Sequence, residues 1–501
     1  MDQLPLSSSA KPAPQTDAAS KSGSLDMSVD MSAGMSPNPS AEHATSTSLS
    51  LSIRIFACFA VAYLLSYGLR TINAVIAPLL VAEIGLSAAN LGLLSSAYFL
   101  GFIITQLPLG LALDKFGARR VNAALLLVAA TGVAAFGMSH SLLTLWWSRL
   151  LIGMGFSAAL MSAFKGFREW FAPSLQPRLA SWMVVAGVAG ASLSTAPVQW
   201  LTQLYGWRPL FLGMAVCVLV AALLLYVLLP ASAEESQSAA SRAANAPAAS
   251  SSSLTQLDAN VDQVAQPVPA AAKSSTRTTS TLNIATNNAA LTNGYRTIFR
   301  SRFFMATAPL GMTFQGGFLV MQSLWIGPWL VQVMDMSAAA SAQVLLVMNL
   351  FFLAASGLMG WLSPRLTQQG HSIWQLVIVF YLGVMLVEGM LALVVANWWW
   401  LWVLLAMLMS AGAWFQSCIA GQFAAQMTGR ANTAYNFMLF LGALLLQWGF
   451  GLGVDAFRAA GLAVSGAFRA TLLVYLSLQL IAWLRYVLWY FYHHKSPVFK
   501  H

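Results

Sequence analysis

Gly110-Leu-Ala-Leu-Asp114-Lys115-Phe-Gly117-Ala-Arg119-Arg120 is a short charged stretch set between two apolar runs, 90–113 and 121–138. Each run is long enough to cross a bilayer, since about 20 apolar residues rising 1.5 Å each cover roughly 30 Å of hydrocarbon. So few residues between two crossings force an antiparallel helical hairpin. Gly110 is expected to let the helix ends approach closely, and Gly117 to adopt the positive φ of a tight turn. Asp114 can cap the next helix or pair with an arginine. Lys115, Arg119 and Arg120 hold the loop on the cytoplasmic side.

The rest of the chain is built from runs of the same kind. Of its 501 residues 58% are hydrophobic and 8% charged, and the mean hydropathy is +0.69. That composition excludes a soluble globule and implies a polytopic helical membrane protein. The net charge of +10 would suggest nucleic-acid binding in a soluble protein; here the basic residues gather in short loops, so it records topology instead. Cys58, Cys217 and Cys418 lie apart in apolar segments, which fits neither a disulfide framework nor a zinc site.

Taken in order, residues 1–50 are rich in Ser, Ala, Met, Asn and Pro, with neither the basic start nor the apolar core of a secretory signal; they read as a disordered cytoplasmic tail. Six spans follow at 53–82, 90–113, 120–139, 142–170, 178–203 and 208–229. Residues 231–300 are a flexible cytoplasmic linker rich in Ala, Ser, Thr and Asn. Six further spans lie at 303–332, 341–362, 372–395, 398–424, 432–454 and 467–491, and 493–501 form a second cytoplasmic tail. The fold class is therefore all-α, a polytopic membrane protein with twelve transmembrane helices in two six-helix pseudo-repeated bundles, 51–230 and 301–492. Gly360-Trp-Leu-Ser-Pro364-Arg365, after span 8, is a worn copy of the opening stretch. The short loops assigned to the cytoplasm hold Lys115, Arg119, Arg120, Arg168, Arg178, Arg365 and Arg430, with Lys495 and Lys500 in the tail. The outer loops hold Arg208, Arg458 and Arg469 beside Glu83, Asp335 and Asp455. Both termini are expected to be cytoplasmic, in an inner or plasma membrane.

The spacing Gly-x-x-x-Asp-Lys-x-Gly-x-Arg-Arg resembles the loop between helices 2 and 3 of the major facilitator superfamily. Arg149-Leu-Leu-Ile-Gly153-Met-Gly155 is similar to its helix-4 pattern, whose buried arginine the resemblance links to proton coupling. Gly206-Trp207-Arg208-x-x-Phe211 is similar to the start of its sixth helix. Gly187, Gly190 and Pro197 resemble its glycine-rich fifth helix, but the Gly-Pro pair is absent, which weakens a drug-efflux assignment. Tyr67-Gly-Leu-Arg70, followed by Glu83-Ile-Gly-Leu-Ser87, resembles members that carry organic anions and phosphate esters. The resemblance implies that Arg70 contacts the anion.

Residue chemistry gives the same candidates by another route. A charge at membrane depth is costly unless it is used or reaches the headgroups. Arg70 lies about 17 residues into span 1, roughly 26 Å along its axis, and Tyr63, Tyr67, Arg70 and Asn73 are spaced by three and four on one face. A guanidinium beside phenols and an amide suits a carboxylate or phosphate; the alternative is a side chain snorkelling to the outer headgroups. Lys165 is a second candidate cation for the pathway or a snorkelling residue. Arg149 is either a coupling residue or an anchor bonded to carbonyls of span 1 or 2. With Arg70 and Lys165 both facing inward, the pathway would carry two positive charges, no acidic partner, and a preference for anions.

In the second half Gln322 and Trp325 are expected to line the cavity, with Gln315, Asn349, Gln416, Gln422, Asn436 and Gln447 as further amides that serve either substrate or helix contacts. Gly327-Pro328 is expected to break span 7. Glu388 is the one carboxylate deep in an apolar span, in a helix that the resemblance turns toward lipid. Trp146-Trp147 and Trp398-Trp399-Trp400 fit an interfacial belt. No phosphate loop, metal-spaced His/Glu pair or nucleophile with a base is present, so neither an enzyme nor a cofactor or metal is expected. The histidines His371, His493, His494 and His501 fall in loops or the tail. The sequence reads as a secondary transporter of a small organic anion, working as a monomer by rocking of two halves, with a proton or counter-anion as coupling partner. Efflux of amphipathic compounds and a transporter-like receptor remain the alternatives.

Overall fold

The computed structural model describes residues 49–230, 295–369, 372–393, 397–423 and 427–493. Most of the tail assigned to 1–50 and of the linker assigned to 231–300 lies outside these residues. So do His371, His494, Lys495, Lys500 and His501.

Among the described residues all regular structure is helical, as a chain in hydrocarbon requires, because a helix satisfies its own backbone. The first half comprises span 1 (Leu49–Thr71 and Asn73–Ile84), spans 2 and 3 (Ala88–Gly137), span 4 (Leu142–Phe156 and Ala159–Trp170), span 5 (Gln176–Leu193 and Ala196–Tyr205) and span 6 (Trp207–Leu228). The second comprises span 7 (Arg302–Leu310 through Ile326–Gln332), span 8 (Ala338–Gln368), span 9 (Ile373–Leu393), span 10 (Trp400–Met409 and Gly412–Gly421), span 11 (Thr428–Ala459) and span 12 (Val464–His493). Eleven helices among the described residues are long and apolar enough to cross a membrane. The twelfth crossing, span 10, was expected to be continuous but is broken at 410–411 into two short helices.

The opening stretch makes its turn at one residue. The helical run Ala88–Gly137 holds a single non-helical residue, Gly117, at φ 79° and ψ 163°, a conformation that essentially only glycine adopts. Tyr98, before this turn, and Ala129, after it, pack on Gly153 and Gly155 of the same helix. The two arms therefore run side by side against span 4, as a hairpin does. Gly110 meets nothing within 4 Å of where a Cβ would stand, so close approach is not its role among the described residues.

Local signals place the other ends. Gly85 closes span 1 in the left-handed region at φ 70°, its N–H bonded to Val81. Ser87 caps span 2 by accepting from the Asn90 N–H, and Ser141 with Thr144 forms a capping box on span 4. Span 7 departs from expectation. Its helix runs through Gly327 and Pro328 without a break, and its irregularity sits earlier, in two π turns, Gly311–Gln315 and Met321–Trp325. Gly327 instead serves packing, since a Cβ there would strike the Ala74 carbonyl.

The halves meet along related pairs: span 2 packs on span 11 and span 5 on span 8, while the outer piece of span 1 packs on span 7. Shifting by six spans turns the pair 2 and 11 into 8 and 5, so the interface repeats the internal duplication. In lipid, such packing rests on small residues that let backbones touch rather than on hydrophobic burial. Gly153, where span 4 meets span 2, shows the same close packing within one half. Gly153→Ala would drive its methyl group into the Tyr98 carbonyl and is expected to destabilise by about 1–3 kcal/mol, whereas Gly110→Ala should leave stability unchanged. Thermal unfolding of both variants in the same detergent checks this; equal midpoints would contradict it.

Candidate functional site

Span 1 is interrupted at Ile72, with Thr71 closing one helix and Asn73 opening the next. Two contacts hold the interruption. Arg149, 1% exposed, donates from Nη1 to the Leu69 carbonyl at 2.8 Å. Its guanidinium also lies 5.4 Å from the Phe136 ring and 6.0 Å from the Tyr98 ring. Thr71 and Ser194 share a hydroxyl bond at 2.7 Å, which ties this interruption to the one that splits span 5.

Below the interruption, Tyr63, Tyr67 and Arg70 face a cavity of ≈ 280 Å³ between the halves. Its other walls are Val184 and Val188 of span 5, Gln315, Phe318, Leu319 and Gln322 of span 7, and Phe352 of span 8, with Met409, Gly412 and Gln416 of span 10 and Asn436, Leu439 and Phe440 of span 11. Gly187 makes room for the tyrosines, because a Cβ there would press on both rings. The Arg70 guanidinium lies 3.7 Å from the centroid of the Tyr67 ring, and Tyr67 meets Tyr63 edge to face at 5.9 Å. The Arg70 Nε has no hydrogen-bond partner among the described residues, and none of the residues lining the cavity is acidic.

The opposite wall is neutral and polar. Gln322 donates to Asn349 at 2.9 Å, and Gln416 to Asn432 at 2.8 Å and to Asn436 at 2.9 Å. Gln315 donates to the Gly412 carbonyl beside the break in span 10. The cavity thus sets one guanidinium and two phenols against amides and three phenylalanines. An anion would find one strong partner and several orienting ones.

Other expected residues lie elsewhere. Asn73, beyond the interruption, is turned off the Tyr63–Arg70 face; it is buried and donates to Ser95 at 2.7 Å. Trp325 is buried, its ring tilted against Phe450 at 4.9 Å and edge to face with Phe468 at 6.0 Å. Lys165 does not line the cavity: its Nζ pairs with Asp114 at 3.3 Å and Glu169 at 3.9 Å. The second positive charge expected in the pathway is therefore engaged by acids at the end of the molecule that carries the opening stretch. Asp114 takes this lysine rather than an arginine. Arg119 donates to the Leu229 carbonyl at 3.0 Å and covers the Tyr226 ring, while Lys115 lies 5.3 Å from the Phe116 ring.

The cavity aromatics Phe318, Phe352 and Phe440 carried no sequence signal, because a phenylalanine facing a cavity and one facing a core read alike. At the opposite end a carboxylate bridges the halves. The Asp455 carboxylate accepts from the N–H groups of Ala88 at 3.2 Å and Ala89 at 2.8 Å. A negative charge from span 11 thus caps the positive end of span 2. Gly451 and Gly92 let the two backbones touch beside it. Phe102 and Phe440, 4.3 Å apart, lie farther along the same pair. Glu83 meets Trp207 at 2.6 Å and Arg208 at that end.

The family model described as Major Facilitator Superfamily matches residues 59–447. The 4-hydroxybenzoate transporter PcaK of Acinetobacter baylyi is 31% identical over 157 residues, 31% of this chain and 34% of that protein. The probable sulfoacetate transporter SauU of Cupriavidus necator is 28% identical over 151 residues, 30% of this chain and 35% of that protein. The chain spans about a third of the length of these curated relatives. Among solved structures, a bacterial homolog of the human lysosomal transporter Spinster, inward-facing and unoccupied, superposes with TM-score 0.64 at 15% identity, over 88% of this chain and 97% of that one. At that identity the likeness is one of fold.

Arg149 makes the sharpest prediction from this geometry. Arg149→Ala leaves the Leu69 carbonyl without its donor and is expected to lower stability by about 1–3 kcal/mol. Arg149→Lys, which keeps a donor, should recover part of the loss. Detergent melting curves for the two variants decide it: if Arg149→Ala melts with the wild type, the carbonyl has another partner.

Proposed function

The chain belongs to the Major Facilitator Superfamily, and from that premise we propose a secondary transporter that moves a small organic anion by alternating access. The observation that carries the cargo is Arg70, a cation in the wall of a cavity whose lining has no acid to neutralise it. A carboxylate or sulfonate entering the cavity supplies the missing charge and can accept two parallel N–H bonds from the guanidinium. Stacking on Tyr67 keeps the guanidinium plane presented to it. Tyr63 and the Gln322 and Gln416 amides then meet the rest of the solute. The relatives named above are described as carrying 4-hydroxybenzoate and sulfoacetate; both are small organic anions.

With one cation in the wall, a load with one anionic group, as in 4-hydroxybenzoate, is favoured over a load with two, as in sulfoacetate, and the phenylalanines of the second half favour a flat or apolar body. The same aromatics are the specific feature that would suit an amphipathic efflux substrate, the second reading. Gating is assigned to Gly110, Asp114, Lys115, Gly117, Arg119 and Arg120, and coupling to Arg149. The Lys165 pair latches span 4 to this loop. The positive-inside bias supports cytoplasmic termini, with a tail at 1–50 and a linker at 231–300 on the same side. The carrier acts as a monomer.

In reconstituted vesicles loaded with 4-hydroxybenzoate or sulfoacetate, Arg70→Gln is expected to lower counterflow roughly 10- to 100-fold, the worth of a charge-assisted bond, with Arg70→Lys between. Unchanged counterflow in Arg70→Gln would overturn the anion reading. A neutral ester of 4-hydroxybenzoate that exchanges as fast as the acid would favour the amphipathic one.

A further inference from the structure

Away from the cavity, a chain of polar side chains crosses the second half. Glu388 of span 9 is 3% exposed and Gln479 of span 12 fully buried. Gln479 Nε2 donates to Glu388 Oε1 at 3.4 Å and to the Tyr475 hydroxyl at 2.8 Å. Tyr475 in turn donates to the Thr313 carbonyl at 2.6 Å. Thr313 belongs to the π turn Gly311–Gln315, whose last residue lines the cavity. The chain therefore joins a buried carboxyl on span 9 to the backbone of a cavity helix.

The hydrogen-bond accounting at its far end does not close with a carboxylate. Glu388 Oε2 and Gln479 Oε1 both lack a partner among the described residues. An ionised carboxyl and an amide oxygen are acceptors only, so neither can satisfy the other. Turning the amide around does not help, since its oxygen would then face Glu388 Oε1, acceptor against acceptor. In either orientation a proton on Glu388 removes the charge and supplies a donor that the site otherwise lacks.

Among the described residues the surroundings offer no counter-charge. Tyr475 faces the pair from span 12, and span 9 itself contributes Tyr381. Span 10, packed against span 9, carries Cys418 as its one titratable side chain. Arg485 and Arg469 of span 12 stand six and ten residues from Gln479, roughly 9 and 15 Å along the helix. An ionised carboxyl here would be buried and unpaired, the costliest arrangement for a charge.

We propose that Glu388 and Gln479 form a proton-binding site, occupied in this conformation, which reports to the cavity through Tyr475 and the π turn of span 7. Release leaves a carboxylate on Glu388 and delivers one proton to water. That state requires the pair to be rehydrated or re-paired, so gain and loss of the proton are tied to movement of spans 7, 9 and 12. The coupling of this proton to cargo rests on the transport reading above; its presence on Glu388 does not.

Infrared difference spectra of the purified protein at neutral pH, wild type minus Glu388→Gln, test the proton directly. A carbonyl band of a protonated carboxyl that shifts in heavy water is expected in the wild type and not in the variant. Its absence from the wild type overturns the proposal. Should Glu388→Gln fail to fold, the same band followed through a pH titration of the wild type serves instead. In vesicles with 4-hydroxybenzoate, Glu388→Gln is expected to keep counterflow and to lose accumulation driven by a pH gradient. If wild type and variant accumulate alike under the gradient, the coupling is refuted while the site stands. If the wild type moves no 4-hydroxybenzoate or sulfoacetate, the transport reading fails and the infrared result still decides the site.

Discussion

Arg149 is wholly removed from water and gives its Nη1 hydrogen to the Leu69 carbonyl at 2.8 Å, just before the helix of span 1 stops. Much of the arrangement around the cavity follows from this bond and from the Thr71–Ser194 bond beside it. The inner piece carries its tyrosines and arginine on the cavity, while the outer piece sets Asn73 against Ser95 and lies on span 7. The guanidinium has no carboxylate partner in the hydrogen bonds it makes, and ring faces of Tyr98 and Phe136 flank it. A buried cation held by a carbonyl and aromatic faces fixes geometry without offering an anion site of its own.

The two ends of the span 2 and span 11 pair are treated differently. Asp455 sits on span 11 and reaches the first N–H groups of span 2, where the helix dipole favours a negative charge. Glycines 92 and 451 let the backbones close around that contact. Asp114, at the other end of span 2, is held within its own half by Lys165. One carboxylate therefore bridges the halves and the other does not.

Hydropathy made the crossings legible, because twenty apolar residues in a row have few other fates. The turn at Gly117 was legible for a similar reason: a short loop between two crossings needs a backbone shape open to glycine. The face of Tyr63, Tyr67 and Arg70 followed from helical spacing. What escaped was everything decided between helices. Nothing in Thr-Ile-Asn marks a helix break, and Pro78 lies six residues beyond it; the break is written in Arg149 and Ser194, far along the chain. Gly327-Pro328 misled in the opposite sense: the helix continues past it, and the irregularity lies one turn earlier, in the π turn Met321–Trp325. Lys165 and Trp325 follow partners outside their own helices, Asp114 and Phe450, that the spacing within one helix does not reveal.

Charge balance joins the cavity to the buried carboxyl. Empty, the cavity wall carries the Arg70 charge without an acid beside it; loaded with a monovalent anion, it is close to neutral. Moving one elementary charge through the membrane potential is worth about 2.3 kcal/mol per 100 mV, so the empty and loaded forms respond to voltage differently. A neutral Glu388 adds nothing to either form, whereas an ionised one would offset Arg70 and compete electrostatically with the cargo for it. Protonation and anion binding thus favour each other: the proton removes a rival negative charge, and the anion restores the balance that the proton disturbs. That mutual preference would couple the two without any direct contact between them, which is as the geometry has it, with the π turn of span 7 as the shared element.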